Sequence, residues 1–173
     1  DENKNWSRKF TPDKSFSMWS PALPEIDESE QANEIKYLMH DTISNAEVFI
    51  DKEVFPAYFW AENDSTLLSD KVKTYIGYQD SVIFDKPFLD GKIRGEDLLV
   101  LMSGTHNLKR LRALLNGDTL YTIYTFLPAQ YLETENYQKL FDEFKISYQT
   151  TVSSLYKRKP AALLLALQAR DSA

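Results

Sequence analysis

The sequence has no cysteine, and this absence removes several kinds of site at once. Without thiols the chain can form no disulfide, no thiolate metal site and no cysteine nucleophile. It also has no apolar run of the roughly 20 residues that a membrane-spanning helix needs. Internal repeats and low-complexity segments are absent as well, so we expect an ordinary globular fold.

Histidine is scarce too, with only His40 and His106 in the chain. A Ser-His-Asp triad needs a histidine placed by a carboxylate beside a nucleophile, and no G-x-S-x-G sequence occurs. His106 follows Ser103-Gly104-Thr105, which is typical of a turn. We therefore predict that the protein is not an enzyme and holds no cofactor or metal. The alternative is a small enzyme or metal-binding domain that uses His106 and nearby acids.

Size and charge narrow the class of protein further. The chain has 173 residues, 43% of them hydrophobic and 27% charged, and such a chain buries enough surface to fold without a metal or disulfide. The net charge of −6 disfavours nucleic acid as a partner, because binding to phosphates depends on lysine and arginine. We predict one domain over residues 1–150, followed over 151–173 by a linker and a short apolar helix.

Most of the domain has the pattern of β-strands. Residues 34–42 alternate between apolar and polar side chains, as a half-buried strand does. Residues 48–61 and 118–127 carry apolar side chains on both faces, which indicates strands covered on both sides. Shorter strands are predicted at 81–88, 98–102, 107–115 and 145–148. Asn116-Gly117 predicts a hairpin with a type I′ turn, and Thr11-Pro12-Asp13-Lys14 predicts an earlier one.

Three segments have helical patterns. Residues 65–76 carry an apolar stripe, with Asp64 as the predicted N-cap and Gly77 as the residue that ends the helix. Residues 133–144 place Tyr137 and Phe141 on one apolar face. The third helix, 161–169, is almost wholly apolar and must bury itself on this domain, on a neighbour or on a second copy. We favour docking on its own domain or on a neighbour, with self-association through 161–169 as the alternative.

The densest basic group of the domain lies on one predicted strand. Because side chains alternate along a strand, Arg110 and Arg112 share one face and Lys109 lies on the other. The functional interpretation is that Arg110 and Arg112 bind an acidic ligand, and the alternative is that they are solvated or salt-bridged strand residues. We name these two arginines as the candidate ligand-binding residues.

A set of short motifs over residues 6–150 resembles a known family. The motifs are Phe10-Thr11-Pro12-Asp13-x-x-Phe16-Ser17 with Pro21 and Pro24, Asp90-Gly91 with Gly95, Arg110 and Arg112, Asn116-Gly117-Asp118 with Leu120-Tyr121, and Phe141-Asp142-Glu143-Phe144. Together they resemble the PsbP-like group, which includes photosystem PsbP proteins, Ran-binding relatives and bacterial exported proteins. Bacterial members usually have glycine after the first of the two prolines, where this chain has Ala22.

The resemblance implies an α+β fold in which helices flank both faces of an antiparallel sheet, as an α/β/α sandwich. With the lack of a catalytic constellation, it predicts a non-catalytic binding or assembly module. We expect the partner to be another protein or a neighbouring domain. The chain starts at Asp1, so we expect a processed protein or a domain of a larger or exported bacterial protein, in an extracytoplasmic location.

Overall fold

The computed structural model describes residues 5–27, 32–150, 155–156 and 160–171. Within these ranges the chain forms two antiparallel sheets and four helices, so the antiparallel α+β class is confirmed. The strands are β1 Ser7–Phe10, β2 Phe16–Ser20, β3 Glu25–Asp27, β4 Glu34–Asp41, β5 Ala46–Val54, β6 Ser81–Asp90, β7 Ile93–Leu101, β8 Asn107–Asn116, β9 Thr119–Pro128 and β10 Lys145–Ile146. The helices are α1 Asp64–Lys73, α2 Ala129–Leu132, α3 Glu135–Asp142 and α4 Pro160–Asp171.

Seven strands form the large sheet, in the order β3-β4-β5-β9-β8-β7-β6, and the small sheet has the order β1-β2-β10. Strand β8 is therefore an interior strand, paired with β7 and β9. The early hairpin is confirmed as β1 and β2. The strand predicted at 145–148 appears as β10, which pairs with β2.

The hairpin between β8 and β9 is confirmed, but its turn differs from the predicted type I′. The register pairs Asn116 with Thr119, so the two loop residues are Gly117 and Asp118. Of these two, only Gly117 has a positive φ, at 65°, as in a type II′ turn. The amide of Asn116 instead holds the chain that follows β10: it donates to the Tyr148 carbonyl (2.6 Å) and accepts from the Thr150 N–H (2.7 Å).

The strand predicted over 48–61 is wrong beyond Val54. Strand β5 ends there, where Val54 pairs with Thr119 of β9. Pro56 has no N–H to offer a neighbouring strand, and the chain leaves the sheet. Its apolar side chains are still buried, since Phe55 stacks on Phe59 with ring centroids 4.5 Å apart.

The predicted boundaries of the first helix also need correction. The N-cap is Asn63 and not Asp64, because the Asn63 side chain accepts a hydrogen bond from the Thr66 N–H at 2.9 Å. The helix ends at Thr74, and Gly77 does not have the positive φ of a residue that ends a helix in the left-handed conformation. The helix predicted over 133–144 is confirmed as the shorter α3, with its apolar face buried as expected, and a separate short helix, α2, precedes it.

The two faces of the large sheet contribute to two separate cores. The first core joins the sheet to β2 and α3, through fully buried residues such as Phe16, Ile123 and Leu140. The second joins the sheet to α1, through residues such as Leu68 and Leu111. Leu155 is buried in the second core, so the chain returns to it beyond residue 150.

The C-terminal helix α4 does not bury its leucines, contrary to the expectation that it docks on its own domain. Leu163, Leu164, Leu165 and Leu167 are between 47% and 67% exposed. In the described residues, no helix combines the length and apolar character that crossing a membrane would take.

Candidate functional site

The candidate site begins with the alternation of side chains along β8. Leu108 and Leu114 pack against the first core. Every second residue of a strand lies on the same face, so Arg110 and Arg112 lie on that face of β8 as well. Lys109 lies on the opposite face and donates a hydrogen bond to the Tyr75 carbonyl. The predicted arrangement of the basic residues is therefore confirmed.

Asp97 of β7 lies between the two arginines. Its Oδ1 accepts from Arg110 Nη2 at 3.0 Å and from Arg112 Nε at 2.8 Å, and its Oδ2 accepts from Arg112 Nη2 at 2.9 Å. The three side chains are only 6% to 14% exposed. The register places Asp97 directly opposite Arg112, so the pairing of the two strands creates this cluster.

The end of α3 completes the network. Arg112 Nη1 donates to the Phe141 carbonyl at 2.7 Å, and Arg112 Nη2 also reaches Asp142 Oδ1 at 3.2 Å. The Asp142 side chain is 63% exposed. Arg112 therefore joins the sheet to the helix through one buried and one exposed carboxylate.

Burial opposes the charge of each group in the cluster. It lowers the pKa of Arg110 despite the opposing effect of Asp97, but in Asp97 and Arg112 the ion pairs outweigh it. Burial alone would raise the pKa of Asp97, and the two arginines outweigh it and lower that pKa. Burial alone would lower the pKa of Arg112, and Asp97 and Asp142 outweigh it and raise that pKa. An acid–base catalyst needs a pKa near the working pH, so this cluster is suited to holding charge and not to transferring protons.

Aromatic rings enclose the guanidinium groups. Arg110 lies between the rings of Phe84 and Phe141, at 5.4 and 4.7 Å from the ring centroids, and Arg112 lies 4.5 Å from that of Phe88. Cation–π contacts of this kind stabilise a cation that has lost water.

A pocket of about 320 Å³ opens over this cluster, between β6–β8 and the helices α2 and α3. Lys86 of β6 is an exposed cation at the pocket, 4.8 Å from the centroid of the Phe84 ring, and it makes no ion pair within the described ranges. The lining residues are Phe84, Lys86, Asp97, Leu99, Leu108, Arg110, Arg112, Ala129, Leu132, Glu133, Tyr137, Gln138, Phe141 and Asp142.

The structure thus brings Arg110 and Arg112 together at a pocket, and ligand binding by them stays a prediction. Sequence reasoning missed Asp97, Asp142 and Lys86. The sequence did contain one sign of this cluster. Asp97 comes directly before the apolar run 98–102, and an acid next to a buried strand needs a cation as its partner. His106 and His40 are both exposed. Among the residues described, no three His, Asp or Glu side chains are grouped so that they could hold a metal ion.

A second buried carboxylate, that of Glu96, lies on β7 next to Asp97 but on the opposite face of the sheet. Glu96 is 6% exposed, and its side chain lies on the same face of β7 as Leu98 and Val100, which belong to the second core. Burial, a hydrogen bond with Asp85 and the charge of that carboxylate raise the pKa of Glu96 to about 7, against a smaller opposing effect of Lys73. Glu96 therefore changes charge near neutral pH, unlike its neighbour Asp97.

Comparisons with known proteins support the fold. No family model matches the chain, and a comparison with curated proteins gives no match. Among solved structures, the chain is similar to the solution structure of cyanobacterial PsbP (CyanoP) from Synechocystis sp. PCC 6803, with a TM-score of 0.59. The similarity covers 82% of this chain and 92% of that one at 12% sequence identity. It shows a PsbP-like fold.

The ion-pair network predicts unequal effects for its two carboxylates. Asp97→Asn leaves two buried arginines without their shared counter-charge, so we expect it to lower the free energy of unfolding by roughly 3–5 kcal/mol. Asp142→Asn removes an exposed partner and should cost less than about 1 kcal/mol. Urea denaturation of both variants measures the difference, and equal losses would contradict the buried role of Asp97.

The raised pKa of Glu96 predicts a pH-dependent stability. Because the folded state holds a proton that the unfolded state releases at lower pH, this group stabilises the fold below pH 4.5, and that contribution is lost as the pH rises through about 7. In Glu96→Gln the side chain stays neutral, so its unfolding free energy should fall less between pH 5 and 8. Urea denaturation at several pH values measures the slope. The exposed Glu47→Gln serves as the control, and an equal change of slope in both variants would refute the prediction.

Proposed function

We propose that the protein is a non-catalytic binding module whose pocket over Arg110 and Arg112 holds an acidic segment of a partner protein. The observation that supports the proposal most is the charge of the buried cluster. Two arginines face one buried carboxylate, Asp97, so the inner cluster has one positive charge in excess. An exposed carboxylate, Asp142, lies over that excess charge.

The chemistry of the site favours binding over catalysis. The charged groups of the cluster are fixed by one another. The pKa values of Asp97 and Arg112 are displaced in the directions that preserve their charges, whereas burial lowers the pKa of Arg110. The leucines that line the same pocket give apolar surface beside the cations, as binding sites commonly do. For the alternative, a metal-binding role of His106, the described residues contain no group of three His, Asp or Glu side chains that could hold the ion.

The PsbP-like fold supports an assembly role of this kind. We further assign the layers as an α/β/α sandwich, because α1 and α3 contribute to different cores on the two faces of the sheet. Placement as a domain of a larger or exported bacterial protein, outside the cytoplasm, is part of the same proposal and rests on the family resemblance.

The pocket contact can be tested with a small probe, 3-phenylpropionate, and its neutral counterpart 3-phenylpropionamide. We expect the carboxylate to bind and to perturb NMR signals of pocket residues, while the amide binds more weakly or not at all. Lys86→Gln should weaken carboxylate binding about two- to fivefold, the contribution of one exposed charge pair. Lys92→Gln, an exposed lysine that does not line the pocket, is the control. Equal binding of acid and amide would contradict the proposal.

A second candidate function is self-association through α4, and the exposed leucines favour it. Leu163, Leu164 and Leu167 share one face of the helix, since residues three and four apart are neighbours, and each is about half exposed. A contiguous apolar surface of this kind usually marks an interface.

The self-association can be measured by light scattering over a range of protein concentrations. Replacing Leu164 and Leu167 together with serine should weaken association about tenfold or more, since each buried leucine contributes roughly 1.5–3 kcal/mol. Leu165→Ser, at a residue exposed on another side of the helix, should have the smaller effect. A single-chain mass for the unmodified protein at all concentrations would exclude this function.

A further inference from the structure

We propose that Asp142 is a built-in substitute for the carboxylate of the ligand, and that an acidic ligand binds by taking its place at Arg112. The inference rests on the proposed function, because it assigns a binding step to the same pocket. The exchange replaces one carboxylate with another at Arg112 Nη2, so this nitrogen has an anionic partner before and after binding.

The two carboxylates that face Arg112 Nη2 are not equivalent. The inner one, Asp97 Oδ2, lies at 2.9 Å from this nitrogen, and the side chain of Asp97 is 6% exposed. The outer one, Asp142 Oδ1, lies at 3.2 Å, and the side chain of Asp142 is 63% exposed. Breaking a buried pair leaves an uncompensated buried charge, whereas an exposed pair contributes at most about 1 kcal/mol. A ligand can therefore displace Asp142 and cannot displace Asp97.

The position of Asp142 on its helix makes its displacement easier still. It is the last residue of α3, where the partial negative charge of the helix C-terminus disfavours a carboxylate. The neighbouring carbonyl of Phe141 already accepts from Arg112 Nη1 at 2.7 Å. Asp142 is thus stabilised by Arg112 and not by its own helix, so no favourable helix interaction is lost when its side chain turns away.

The other acids at the two ends of α3 are engaged elsewhere. Glu143 pairs with Arg8 at 2.7 Å, and Glu135 pairs with Lys139 at 2.6 Å. Asp142 is the acid of α3 that lies against Arg112 and also lines the pocket. Glu133 also lines the pocket, but Asp142 is the exposed acid paired with Arg112, so it defines the anion position at that arginine.

The pocket also indicates the chemical class of the ligand. Leu99, Leu108 and Leu132 provide apolar lining, and Lys86 provides a second cation on the β6 side. One-for-one exchange at Arg112 accommodates a single carboxylate. The geometry thus favours an aspartate or glutamate flanked by an apolar residue over a run of consecutive acids.

Titration of the full chain with 3-phenylpropionate, followed by NMR, tests the exchange. Asp142→Asn removes the competing carboxylate, so we expect it to bind the probe about two- to fivefold more tightly, the equivalent of one exposed ion pair. Asp142→Glu keeps a carboxylate and should bind more weakly than Asp142→Asn. Asp70→Asn makes the same change of charge at an exposed position of α1, on the other face of the sheet, and should leave the affinity unchanged.

The outcomes separate the exchange from the proposed function. If the unmodified protein binds the probe and Asp142→Asn binds it equally or more weakly, the exchange is refuted and the pocket contact stands. An equal gain in Asp70→Asn would refute the exchange too, because the gain would then be a general effect of net charge. If neither the unmodified protein nor Asp142→Asn binds the probe, the proposed function fails and the exchange fails with it.

Discussion

The structure depends on one buried carboxylate, Asp97, placed between two arginines in the interior of the large sheet. Cations inside a protein lose the stabilisation of water, and they need a counter-charge with good geometry to be accommodated there. Asp97 supplies it with three hydrogen bonds of 2.8 to 3.0 Å. Because the acid and the arginines are on different strands, a shift of register between β7 and β8 would separate Asp97 from both arginines.

The same cluster connects the sheet to the helix above it. Arg112 spans from Asp97 on the sheet to the Phe141 carbonyl on α3, and Arg110 lies against the ring of Phe141. The apolar packing of Leu140 and Phe144 brings α3 to the sheet, but such packing is not directional. The arginine contacts are directional, and they define where the end of the helix lies and hence the shape of the pocket.

Local periodicity predicted the features that depend on neighbouring residues. Alternation along β8 was enough to place Arg110 and Arg112 on one face, and helical spacing was enough to find the buried face of α3. Contacts between distant segments could not be predicted in this way. The partners of Arg112 lie 15 and 30 residues away along the chain, and only the strand register and the docking of α3 bring them together. Likewise, Asn116 was assigned to the turn because its long-range contacts with the chain after β10 leave no local signal.

Glu96 and Asp97 show that the neighbouring charges decide in which direction the pKa of a buried carboxyl group is shifted. The two are adjacent on β7, both are buried, and the strand directs them to opposite faces. Burial acts on both in the same direction, raising the pKa of the carboxyl group. Asp97 meets two arginines, which reverse that effect, whereas Glu96 meets the carboxylate of Asp85, which adds to it. On the pocket face, Asp97 therefore stays ionised at neutral pH, as a surface that recognises an anion requires. On the α1 face, Glu96 gains or loses its proton near pH 7.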